Sequence, residues 1–150
     1  MLKGTRGYLK GMKKLKPNFI DIKIWQFAHK LSIKIYTATK SFPKDELYSL
    51  TNQIRRAAVS IVLNIVEGTA RQHDKETIQF LYQARSSLRE VQAALYIAED
   101  LKYVSTDTVE ELVSEFCILE HQINKFILYR KNKTPDLLIG GTGATILCTV

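Results

Sequence analysis

Three histidines, two cysteines and fifteen acids are the residues of this chain that could hold a metal or start a reaction. The residues three positions before His29, His73 and His121 are Gln26, Ala70 and Ile118. The Glu-x-x-His pairs that build di-metal sites in helical bundles are therefore missing. Neither His-Glu-x-x-His nor a paired-cysteine zinc spacing occurs. Cys117 falls on an apolar helical face, where it is expected to be a small core residue, and no serine has a base and an orienting group at useful spacing. The glycines of "GGTGAT" lack the Gly-Lys-Ser/Thr ending of a phosphate loop. The expectation is a chain that is not an enzyme and that uses no metal and no cofactor.

One polar line is more ordered. Gln53, Arg56, Ser60, Asn64, Glu67 and Arg71 advance by three, four, four, three and four residues, which puts them on a stripe roughly 100° around a helix from its apolar stripe. Residues 57–66 hold no charge, and Val59, Val62, Leu63 and Val66 lie between the polar positions. A solvated flank, a ligand site and a hydrogen-bond network are the three readings. The network is favoured, because a buried hydroxyl or amide left unpaired costs about 1 to 3 kcal/mol. Gln83, Ser86, Ser87 and Glu90 are its candidate partners. Such a network fixes helix register and the mode of association. A helix this apolar also needs cover on more than one side, from another subunit or from a loop or tail.

Four stretches have the period to position these residues. Ile24, Ala28, Leu31, Ile35, Ala38 and Phe42 form the first apolar stripe, ended by Pro43. Leu47, Leu50, Ile54, Ala57, Ile61 and Ile65 form the second, with Gly68 following on that face. Ile78, Leu81, Leu88, Val91, Leu95 and Ala98 form the third. Val109, Leu112, Phe116, Leu119, Ile123 and Phe126 form the fourth, with Asp107 as expected N-cap and Glu110 three residues on. Short links between long helices force antiparallel neighbours. The predicted fold is all-α: an antiparallel up-down-up-down four-helix bundle over residues 19–133.

The formal charge of +7 is unevenly spread. Residues 1–18 carry Lys3, Arg6, Lys10, Lys13, Lys14 and Lys16 and no acid, whereas residues 19–133 hold sixteen Lys or Arg against fourteen Asp or Glu. The arm over 1–18 is expected to be mobile and to bind nucleic acid through counterion release. Arg55, Arg85 and Arg89 are weaker candidates for the same role. The off-stripe aromatics Trp25, Phe27, Tyr36, Phe80, Tyr82 and Tyr96 suit packing more than base stacking. The tail over 134–150 is apolar but broken by three glycines and is expected to be irregular. No export signal and no membrane span is visible, and a cytoplasmic protein is expected.

The segments "IWQFAHKL", "FPKDELYSLTNQIRRAAVSIVLNIVEGTAR" and "FLYQARSSLREVQAAL" resemble, in that order, the four-helix bundle family of proteins encoded by intervening sequences of bacterial 23S ribosomal RNA genes. The most specific match is Gln53, Arg56, Ala57, Ser60, Ile61, Asn64, Ile65, Glu67, Gly68 and Arg71. Two positions depart from the pattern: His73 replaces a helix-capping hydroxyl, for which Asp74 could serve, and Val66 replaces an alanine. The resemblance implies a non-catalytic homo-oligomer, commonly a pentamer. It also relates the chain to accessory proteins of diversity-generating retroelements, which bind nucleic acid and a reverse transcriptase. The leading expectation is an oligomeric bundle that binds RNA or DNA. The alternative is a protein-interaction scaffold, such as a reverse-transcriptase accessory subunit.

Overall fold

A computed structural model describes residues 18–133, all within one helical bundle. The arm cations Lys3, Arg6, Lys10, Lys13, Lys14 and Lys16 lie outside the described residues, as does the tail over 134–150. Helix α1 spans Lys23–Ala38, α2 Leu50–Ala70, α3 Asp74–Asp100 and α4 Thr106–Lys133. Each packs on its sequence neighbours, and α1 also packs on α4, which closes the bundle. Lys34 late in α1 bonds Glu111 and Glu115 early in α4, each at 2.7 Å. Asp74 at the start of α3 meets Arg130 near the end of α4 at 2.7 Å. These pairs show neighbours running antiparallel. The start of α1, the end of α2, the start of α3 and the end of α4 therefore share one pole.

Leu31, Ile35, Ile54, Ile65, Leu81, Leu88, Leu95, Leu119 and Ile123 are completely buried along the axis. The predicted stripes supply most of this core, although Ala38, Leu50 and Ile78 are only partly buried against it, and other positions differ further. Leu47 sits in a 3-10 turn over Lys44–Tyr48 and is 47 % exposed, because Ser49 at φ −114°, ψ −107° breaks the helical phase before α2 begins. Ile127 replaces Phe126 as the last core residue of α4. Cys117 is exposed rather than buried. It follows Phe116 by one residue, about 100° further round the helix, and its Sγ accepts a bond from Gln92 at 3.4 Å.

Helix ends follow local chemistry. α4 starts at Thr106, and the Ser105 hydroxyl, not Asp107, accepts from the Thr108 amide at 3.4 Å. His73 is the N-cap of α3 but makes no side-chain capping bond, and Asp74 is held by Arg130. At the end of α3, Lys102 adopts φ 62°. The Tyr103 amide then reaches the Ala98 carbonyl at 2.9 Å and the Lys102 amide the Glu99 carbonyl at 2.8 Å, the two bonds of a Schellman ending.

The far pole is tied by Glu46. Its carboxylate accepts from the Ser49 hydroxyl, from the Leu50 amide at 3.2 Å and from the Tyr103 hydroxyl at 3.1 Å. The Ser49 bond and then the Leu50 bond hold the Glu46 carboxyl below its ordinary value of 4.5. Burial and then the Glu46 bond raise Tyr103 above 10.0. The Tyr103 ring also lies 5.6 Å from Phe42, so the α1–α2 and α3–α4 connections are joined.

Candidate functional site

The polar line on α2 is resolved as a seam with α3. The Ser60 hydroxyl lies 2.9 Å from that of Ser87. The Asn64 amide donates to the Ser60 carbonyl at 2.8 Å and to its hydroxyl at 3.1 Å. The Gln53 amide donates to Glu90. Glu67 and Arg71 form an ion pair one turn apart, and the Arg71 guanidinium lies 4.8 Å from the Phe80 ring. Gly68 brings the helices together: a Cβ there would stand 3.1 Å from the Phe80 Cβ and 3.3 Å from the Thr77 carbonyl. These bonds all close within one chain. Ser87 and Glu90 are the partners used from the four that the sequence offered.

Arg56 is the exception. It is exposed and has no ion-pair partner among the described residues. It borders a groove of about 550 Å³ between α1 and α2, lined by Tyr36, Asn52, Arg55, Val59 and Leu63 among others, with no carboxylate among the described residues. Arg55 is fixed in this groove: its Nε donates to the Thr39 hydroxyl at 2.8 Å, and its guanidinium lies 5.0 Å from the Tyr36 ring. Leu63 is 61 % exposed, Val59 and Val66 are half-buried, and only Val62 of the four apolar positions is enclosed. The outer strip of α2 thus has cations at one end and uncovered aliphatic surface at the other.

Arg85 and Arg89 lie on the α3–α4 seam. Arg89 is paired with Glu120 at 2.9 Å, which cancels its charge locally. Arg85 donates to the neutral Asn124 carbonyl oxygen at 3.0 Å and lies 4.9 Å from the Tyr82 ring. Lys131 approaches the same ring at 5.7 Å. Arg85 and Lys131 have no carboxylate partner among the described ion pairs, so two cations converge on one tyrosine. Sequence reasoning missed Lys131, although its seven-residue spacing from Asn124 puts both on one face of α4.

Among the described residues, no three His, Cys, Asp or Glu side chains are grouped to hold a metal ion, and no helix is long and apolar enough to cross a membrane.

Comparison with known proteins matches residues 20–125 to the family described as 23S rRNA-intervening sequence protein. A similar solved structure is the 1.70 Å crystal structure of a protein of unknown function from the S23 ribosomal protein family of Bacteroides thetaiotaomicron. The two are 18 % identical with a TM-score of 0.63, over 69 % of this chain and 97 % of that one, a likeness of fold. No curated protein matches the chain.

Proposed function

The chain belongs to the family of 23S rRNA-intervening sequence proteins, and from that premise we propose that it is a non-catalytic homo-oligomeric bundle, a pentamer, that binds RNA through its basic surface and N-terminal arm. The observation that carries the RNA reading is the convergence of Arg85 and Lys131 on Tyr82, with no carboxylate paired to either among the described residues. The Tyr82 ring and Asn124 hold the Arg85 guanidinium in place, so a phosphate oxygen meets a donor whose conformational freedom is already reduced. Arg89 contributes less because Glu120 offsets it. Assembly is supported by the outer strip of α2, where Leu63 stands uncovered in the single chain. Oligomerisation would repeat Lys3, Arg6, Lys10, Lys13, Lys14 and Lys16 once per subunit, multiplying weak interactions through effective concentration.

The test is RNA binding by the full chain as salt is raised. Affinity falls steeply with salt, and the variant Arg85→Glu/Lys131→Glu binds more weakly, its salt slope shallower by about 1 for each phosphate that is no longer neutralised. Binding that ignores salt and both substitutions rejects the reading. A protein that stays bound after nuclease treatment favours the scaffold alternative instead.

A further inference from the structure

The groove between α1 and α2 has the chemistry of a peptide site: arginines at one end, an aliphatic floor at the other, and no acid among the described residues that line it. Arg55 is already immobilised by Thr39 and Tyr36, and Arg56 beside it is exposed without an ion-pair partner among the described residues. Most of the lining surface is apolar, which disfavours a sugar-phosphate backbone and favours a polypeptide with one carboxylate followed by aliphatic side chains.

The chain carries such a segment just beyond α4, in Asp136, Leu137, Leu138 and Ile139. We propose that this segment of one copy docks in the α1–α2 groove of another, with Asp136 facing Arg55 and Arg56 and the aliphatics covering Val59 and Leu63. This deepens the oligomeric reading above and rests on it. Reach decides between the same chain and a second copy. α4 ends at Lys133, at the pole shared with the end of α2. Arg56 lies fourteen residues before Ala70, which is about 21 Å along the helix. The three residues from Lys133 to Asp136 span at most about 11 Å, and α4 stands diagonally across the bundle from α2 rather than beside it, so even with both side chains extended a chain's own Asp136 falls short of its own Arg56. A neighbouring copy can.

Sedimentation velocity of the full chain tests this with Arg56→Glu, Asp136→Lys and their equimolar mixture, thermal unfolding serving to show that each variant is folded. Each variant alone is expected to associate at least about tenfold more weakly than the unaltered protein. The mixture is expected to recover, because the Asp136→Lys variant keeps an intact groove and the Arg56→Glu variant an intact segment. An unaltered protein that is monomeric at all concentrations removes the oligomeric reading itself. An oligomer that neither substitution weakens, or weakened variants that do not rescue each other, overturns this docking alone.

Discussion

The Ser60 hydroxyl meets both Ser87 and Asn64, so its removal is felt on two helices. Ser60→Ala should destabilise the fold by about 1 kcal/mol, and Ser60→Ala/Ser87→Ala by less than the sum of the single changes. Urea unfolding of the four proteins of that cycle measures the difference; strict additivity would show that the two hydroxyls are not coupled. Gly68 is the complementary case. Alanine there gains helix propensity of about 1 kcal/mol, but its Cβ would press on the Phe80 Cβ and the Thr77 carbonyl, atoms that no rotamer change can move. Valine should destabilise by about 1 to 3 kcal/mol, and the same denaturation experiment reads it. Much of this seam was legible because both partners lie on neighbouring helices with clear spacing. The partners of Arg85 and Arg89 were not: Asn124 and Glu120 are 39 and 31 residues away, and only packing of α3 on α4 sets that register.

The ends of the elements are where local rules and tertiary packing compete. Lys102 pays for the α3 ending with a left-handed backbone, so Lys102→Gly should stabilise the bundle by about 0.5 to 1 kcal/mol, read as a higher denaturation midpoint at unchanged slope. At the same pole, the lowered pKa of Glu46 means that its contribution is fully present above its ordinary value of 4.5 and is lost as pH falls through the lowered folded value. The melting temperature of Glu46→Gln should therefore lie below that of the unaltered protein at neutral pH, the two converging in acid. A constant gap down the pH scale would contradict that linkage. Apolar period located all four helices, since stripes such as Leu31–Ile35 and Leu88–Val91–Leu95 are fully buried. It misplaced Leu47, because a 3-10 turn breaks phase without a proline at the break. It chose Asp107 over Ser105 as cap, because both residues are good caps two positions apart and the sequence alone does not choose between them.

For the whole molecule, the telling quantity is surface left uncovered. Leu63→Glu places a charge on a side chain already 61 % exposed, so folding stability should change by no more than about 0.5 kcal/mol while self-association weakens. Light scattering across a concentration series, beside a urea titration, separates those outcomes; unchanged association would remove α2 from the interface. The fold could be read from the sequence, whereas what covers the outer face of α2 could not, because a helical period reports which face is apolar and is silent on what covers it. The shared pole has a further use. α1 begins and α4 finishes at that pole, with a 3-10 turn over Asn18–Asp21 leading into α1, so a short linker from residue 133 to residue 18 with the chain opened at Gln72 gives a circular permutant of the same packing. In that rearranged chain α3 would be made first and α2 last, which turns the Ser60–Ser87 seam from a meeting of consecutive hairpin arms into the closing step of the fold.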